Sequence, residues 1–367
     1  MVRSANSEFS ALHRLIHTSK PTTARTETIR RHSVDNNFIG NRLNGLTARW
    51  GRSLEQDPVS APWPELADIA ISNRCSKNCS FCYRDSKPDG ELMDIEDYSY
   101  VLDQLTSPKW GPVFQVAIGG GEPTEHPQLR QILQSTRERG IVPNVTTNGM
   151  KLTDDHLEAF RTLCGAVALS VEAIEPKELS PRLSRLTGKG IRTNLHFVLS
   201  RTSLPVAIDL LKGTWDNLLR EINAIVFLTH KAMGRASPQN NMAFGHELRS
   251  FLSLIDRPSS SLRFGFDACF VPMLLRFTKV DSRLIDSCEC GFFSIFVDER
   301  LNVKPCSFAV GDEFSFNLFD YAFEKIWLDE LEPYRQKARR TCSISCQARR
   351  SCRGPCPYHD SVNLCMG

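Results

Sequence analysis

From Leu66 onward, short apolar runs alternate with amphipathic stretches along the chain. The runs are LADIAIS (66–72), VFQVAI (113–118), IVPNVTT (141–147), AVALSV (166–171), TNLHFVLS (193–200) and INAIVFL (222–228). They are rich in Val, Ile and Leu and nearly continuous, as strands covered on both faces should be. Between them lie helix candidates at 94–106, 126–138, 153–163, 176–187 and 203–219, with Asp94 and Thr153 as N-caps. Strand–helix alternation at this period predicts a parallel α/β sheet or barrel. Six strands are fewer than a closed eight-stranded barrel requires.

The pattern stops at both ends. Residues 1–64 are polar, with little sustained periodicity, and read as an extension with one or two short helices docked through Phe38, Leu43 and Trp50. KAMGRASPQNNMAFG (231–245) is loop-like and IDRPSSSLR (255–263) reads as a linker, which places a boundary near residue 263. A hairpin around Asp298–Arg300, within FFSIFVDERLNVKPCSF, and a cysteine-dense tail follow. The expected division is 1–64, 65–263 and 264–367.

Composition narrows the function. The chain has 367 residues, 41% hydrophobic and 24% charged, as in a globular protein. A net charge of +3 without a polybasic block gives no reason to expect nucleic acid. No apolar run approaches the ~20 residues of a membrane helix, so no membrane partner is expected. The first residues lack the apolar stretch of a secretory signal, and a cytoplasmic location is expected. There are 13 cysteines, an odd number, and they cluster, so metal or cluster ligation is a better reading than disulfides.

The first cluster is ISNRCSKNCSFCYRDS, with Cys75, Cys79 and Cys82 in a CxxxCxxC loop just after the first predicted strand. Three thiolates on one loop can hold an iron–sulfur cluster that normally takes four, leaving one iron open to a ligand. A closed structural zinc site would want four ligands. With Phe81 and Tyr83 flanking Cys82, the loop resembles the signature of the radical S-adenosylmethionine (SAM) superfamily. The resemblance implies a 4Fe–4S cluster on these cysteines, SAM on the open iron, and reductive cleavage of SAM to a 5′-deoxyadenosyl radical. AIGGGEP follows the second predicted strand and is similar to the family's GGEP segment. It implies SAM contacts by Gly120, Gly121 and Glu122, with Tyr83, Asn148 and Ser170 nearby. Lys231 and Arg235, in THKAMGRA, are placed to meet a carboxylate of SAM or of a peptide.

The tail runs C288-E-C290, C306, then TCSISCQARRSCRGPCPYHDSVNLC. It resembles the SPASM domain of radical SAM peptide and protein modifiers, which carries two auxiliary 4Fe–4S clusters, for three in all. The resemblance assigns Cys288, Cys290, Cys306 and Cys356 to the first auxiliary cluster, with Cys269 as an alternative ligand. It assigns Cys342, Cys346, Cys352 and Cys365 to the second. The chain departs from the family pattern in three places. Three residues separate Cys342 from Cys346, Leu301 stands where a Gly is expected, and Cys288 and Cys290 are unusually close. Zinc binding by the tail stays open. Cys164, just before a strand, reads as a core thiol.

The implied fold is a partial (β/α)6 TIM-like barrel with a small cysteine-rich SPASM domain. The implied activity is radical modification of a ribosomally made precursor peptide, by C–C, cyclophane or thioether crosslinking. Its implied partners are that peptide or protein, a one-electron reductant such as flavodoxin or ferredoxin, and a separate leader-binding protein. The alternatives are a sulfatase-maturing, formylglycine-forming enzyme and a non-catalytic Fe–S or zinc protein. Asp267 and Asp286 are acid–base candidates by location alone.

Overall fold

The computed structural model describes residues 27–282, 285–338 and 352–366. The expected helices of the N-terminal segment are replaced over 28–50 by three antiparallel strands, β1 (Thr28–His32), β2 (Asn37–Asn41) and β3 (Thr47–Trp50). The β2–β3 turn contains Asn44-Gly45, a hairpin dipeptide, and Gly45 sits at φ +73°. Phe38 docks as expected: it is buried edge-on against Phe114, with ring centroids 5.6 Å apart. Leu43 is instead exposed at the turn. A second anchor is Arg31, a buried cation that donates to the carbonyls of Trp63, Pro64, Trp110 and Pro112. Those four acceptors replace the water its guanidinium gave up.

The six expected runs form strands β4 (Leu66–Ala70), β5 (Gln115–Gly119), β6 (Val142–Thr147), β7 (Val167–Val171), β8 (Thr193–Leu199) and β9 (Ala224–Thr229). Each pairs in parallel with the next, and a seventh, β10 (Phe264–Phe266), continues the series beside β9. The sheet therefore runs across position 263. At the other edge, β11 (Ser294–Val297) pairs in parallel with β4, and the antiparallel β12 (Asn302–Lys304) and β13 (Phe316–Asn317) complete the order β10-β9-β8-β7-β6-β5-β4-β11-β12-β13. Among the described residues the two edge strands do not pair with each other, so the wall stays an open, partial barrel.

Helices α1 (Ile95–Gln104), α2 (Leu129–Glu138), α3 (Asp154–Leu163) and α4 (Pro176–Thr187) cover one face. Asp94 caps α1 by accepting from the Asp97 amide at 2.8 Å. Thr153 forms a capping box with His156 at the start of α3. The expected 203–219 helix breaks into α5 (Leu204–Lys212) and α6 (Asp216–Leu219) at Gly213, which sits at φ +85°. A further helix, α7 (His246–Ile255), precedes β10, and α8 (Val271–Phe277) follows it. Neither was marked by the run pattern.

The strands are not sealed on both faces. In β8, Thr193, Leu195, Phe197 and Leu199 are buried, while Asn194, His196 and Val198 are half-buried. The first set packs under the helices, and the second lines the open barrel interior. A nearly continuous apolar run hides this two-faced character.

Candidate active site

Strand β4 delivers the chain to the three-cysteine loop, and the end of β5 supplies its seat. The amides of Gly121 and Glu122 donate to the carbonyls of Ser72 (2.6 Å) and Arg74 (2.7 Å). Gly120 has φ +106°, and a Cβ there would stand 2.2 Å from the Ser72 carbonyl; one on Gly121 would stand 2.0 Å from that of Arg74. Only glycine lets the two backbones come this close. The GGGEP segment is thus a cradle for the loop as well as the segment that resemblance links to SAM.

The Glu122 side chain is turned inward. Its carboxylate accepts from the Thr124 amide and hydroxyl, the Thr147 hydroxyl and the Asn148 amide. Burial raises its pKa, and these hydrogen bonds oppose that. Glu122 therefore ties the end of β5 to the end of β6, a role the sequence did not suggest. Asn148 is buried beside the loop, with its Nδ2 4.0 Å from Cys75 Sγ. Ser170 lies on the interior face of β7, in register with His196 on β8. Lys77 reaches from the loop to Glu172, at the end of β7, at 3.2 Å.

Cys75, Cys79 and Cys82 are all half-buried free thiols. Burial pushes the Cys75 and Cys79 thiols up, and Lys77 opposes it at Cys79. The Ser86 amide lies 3.4 Å from Cys82 Sγ. This donor set, soft sulfur with amide hydrogen bonds around it, fits an iron–sulfur cluster. Tyr83 turns away from the loop. Its ring lies 4.4 Å from that of Phe308, it hydrogen-bonds Ser307, and burial pushes its phenol up to about 12.

That contact leads to the second cysteine group. Cys269, Cys288, Cys290, Cys306 and Cys356 line one cavity of about 70 Å³, together with Lys231 and Tyr334. Cys290 hydrogen-bonds both Cys288 and Cys306, and the bond from Cys290 holds the Cys288 thiol below the ordinary thiol range. Five thiols are one more than a four-thiolate cluster uses. The donors fit such a cluster, and Cys269 shares the cavity with the four first assigned. Among the described residues no three His, Cys, Asp or Glu side chains group as ligands of a single metal ion. Of the second auxiliary set, Cys352 and Cys365 are described and Cys342 and Cys346 lie outside the described residues. Burial pushes Cys164 up to about 12, as in a core thiol.

The two cations expected to meet a carboxylate of SAM or substrate are already committed. Lys231 is buried, and its Nζ donates to Asp267 (3.1 Å) and to the Thr229 carbonyl (2.9 Å). Arg235 binds the cysteine loop itself. Asp267 also accepts from the Thr229 amide and hydroxyl and from the Phe270 amide, so its oxygens are occupied. Asp286 is exposed and pairs with Arg49 at 2.7 Å.

The parallel partial barrel with a three-cysteine loop after its first strand is the arrangement that the resemblance to the radical SAM superfamily led one to expect. Residues 69–195 match the family model described as the Radical SAM superfamily, whose members use a 4Fe–4S cluster and SAM. The cofactor-modifying protein of tungsten-containing aldehyde ferredoxin oxidoreductase from Pyrococcus furiosus is 31% identical over 97 residues, 26% of this chain and 27% of that protein. The PqqA peptide cyclase of Ruegeria pomeroyi is 26% identical over 139 residues, 38% of this chain and 36% of the cyclase. The matched stretches thus span about a third or less of those relatives. The structure of Streptococcus suis SuiB bound to its precursor peptide SuiA superposes with a TM-score of 0.70 at 16% identity, covering 92% of this chain and 95% of that one. At that identity the likeness is one of fold.

Proposed function

We propose that this protein is a radical SAM enzyme that modifies a ribosomally made precursor peptide, by oxidative crosslinking of its side chains. The observation that carries the reading is the pairing of two cysteine sites: a three-cysteine loop cradled by GGGE at the barrel mouth, and a five-cysteine cavity one aromatic contact away. Support comes from the match to a peptide cyclase and from a fold shared with a protein solved with its precursor peptide.

Cys75, Cys79 and Cys82 would hold the 4Fe–4S cluster, and Cys288, Cys290, Cys306 and Cys356, or Cys269 in place of one of them, would hold an auxiliary one. Bound there, the cluster and SAM would supply one-electron radical chemistry at a substrate C–H bond. The chain's own residues do the rest. Gly120 and Gly121 bring the loop against β5. Glu122 locks the ends of β5 and β6. Asn148 and Ser170 offer polar contacts toward SAM at the carboxyl ends of the strands. The half-buried interior face of the barrel receives the peptide. Tyr83 belongs to the packing between the two cysteine sites. A one-electron reductant and a separate leader-binding partner complete the system, in the reducing cytoplasm that its thiols favour. Among the described residues no helix is long and apolar enough to cross a membrane.

The test is anaerobic reconstitution followed by SAM and a reductant. The expected product is 5′-deoxyadenosine. A Cys75→Ala, Cys79→Ala, Cys82→Ala variant should lose it while keeping the iron bound by the tail. No 5′-deoxyadenosine from protein with intact clusters would refute the enzyme reading. Incubation with short peptides encoded beside the gene should give products lacking two hydrogens per crosslink. Conversion only of a sulfatase peptide to formylglycine would move the substrate class.

A further inference from the structure

The three-cysteine loop is held from its far side by one residue. Arg235 Nε donates to the Cys79 carbonyl (3.0 Å), and its Nη1 to the Ser86 carbonyl (2.9 Å) and the Asp85 carboxylate (2.7 Å). Its backbone amide donates to the Cys82 carbonyl (3.0 Å). Two ligand-bearing residues and the strained exit of the loop, where Asp85 sits at φ +52°, are thus fixed by one side chain and its own amide. The preceding Gly234 has φ +60°, and a Cβ there would stand 2.5 Å from the Tyr83 carbonyl. The turn therefore lies flat against Cys82–Tyr83. Arg235 touches the loop's main chain and the Asp85 carboxylate rather than any reacting atom.

The same short segment reaches the other cysteine site. Four residues before Arg235, the buried Lys231 lies over the Phe308 ring, 4.1 Å from its centroid, and lines the five-cysteine cavity. Phe308 also packs on Tyr83, next to Cys82, and stands two positions after Cys306. The loop and the cavity are joined twice, through Arg235–Lys231 and through Tyr83–Phe308.

We propose that Arg235 is a positioning residue for the Cys75–Cys79–Cys82 loop, and that the Lys231–Arg235 turn with Phe308 ties the loop's geometry to the auxiliary cavity. The planar guanidinium presents several donors in a fixed fork, which suits two carbonyls and a carboxylate at once; a lysine ammonium is a single point on a flexible stem. Residues that orient ligands without touching the metal typically change metal affinity or activity by about 10- to 100-fold when removed.

The proposal rests on the radical SAM reading, and its test separates the two. Reconstituted wild type, Arg235→Lys, Arg235→Gln and Phe308→Leu are compared by iron content, thermal midpoint, and electron paramagnetic resonance of the reduced protein during SAM titration. If the wild type shows no SAM-dependent spectral change, the radical SAM reading fails. Given that change, Arg235→Gln should weaken SAM binding by about tenfold or more and alter the SAM-bound spectrum, with tail iron unchanged. Arg235→Lys should fall between the two. Phe308→Leu, remote from the loop's hydrogen bonds, should shift the same spectrum in the same direction by less. If Arg235→Gln does not fold, Arg235→Lys decides. Wild-type SAM affinity and spectrum in the Arg235 variants overturn the positioning role; a wild-type response in Phe308→Leu overturns the coupling.

Discussion

Leu301 adopts φ +64°, a backbone region that suits glycine, at the turn between β11 and β12. It is also only 1% exposed. The conformation costs about 1–2 kcal/mol, while deleting a buried Leu side chain costs about 2–5. Packing wins. Leu301→Gly should therefore destabilise the protein by roughly 1–3 kcal/mol, read as a lower urea midpoint with unchanged slope. A stabilised variant would mean that backbone strain dominates. This also accounts for the departure seen in the sequence: the turn keeps the glycine-type conformation and gains a core side chain. Asp68 on β4 is a second test at this scale. Burial pushes its pKa up to about 6, and Arg84 only partly offsets this. A carboxyl whose folded pKa is raised stabilises at low pH, and that contribution is lost as pH rises through about 6. Asp68→Asn should therefore raise the melting temperature at pH 8 and leave it unchanged near pH 4. The difference should be at most about 3 kcal/mol. Equal melting curves at both pH values would show that the interior hydrates this carboxylate.

At the scale of elements, the strand ends were legible and their fastenings were not. Six of the parallel strands follow from apolar runs because each must cross a helix-covered sheet. The seventh, Phe264–Phe266, is too short to show a period. The N-terminal sheet was hidden because its strands carry Arg, Asn and Thr, which cover little core; the Asn44-Gly45 turn was the available signal. The cysteine spacing marked the loop. Arg235 could not be found that way, since it meets the loop only after five more strands have formed. Gly121 offers a check on the cradle. Gly121→Ala puts a methyl 2.0 Å from a backbone carbonyl that cannot swing aside. The loop should lift off β5, and reconstituted protein should bind about four fewer iron atoms per chain while keeping its far-ultraviolet circular dichroism. Wild-type iron content would show that the loop does not need this contact.

At the scale of the whole molecule, contacts distant in sequence join the N-terminal sheet and the β11–β12 turn to the segments that carry the cysteines. Arg49 of the N-terminal sheet pairs with Glu65 at 3.0 Å and with Glu289, which lies between Cys288 and Cys290. Arg300 of the β11–β12 turn pairs with Glu91 in the stretch leaving the cysteine loop. The sheet order carries a further consequence. Strand β4 is flanked by β5 on one side and by β11 on the other. During synthesis the first neighbour follows within about fifty residues, but the second emerges more than two hundred residues later. Until then, β4 presents one bare row of amides and carbonyls, an edge open to mispairing. Pairing across such a separation is slow, because a long loop must close before any contact rewards it. The strand that leads into Cys75 is thus among the last to be enclosed. Iron delivered to a half-made chain would meet the Cys75 loop with its leading strand open on one edge, and with most of the second cysteine group, at Cys288, Cys290, Cys306 and Cys356, not yet made.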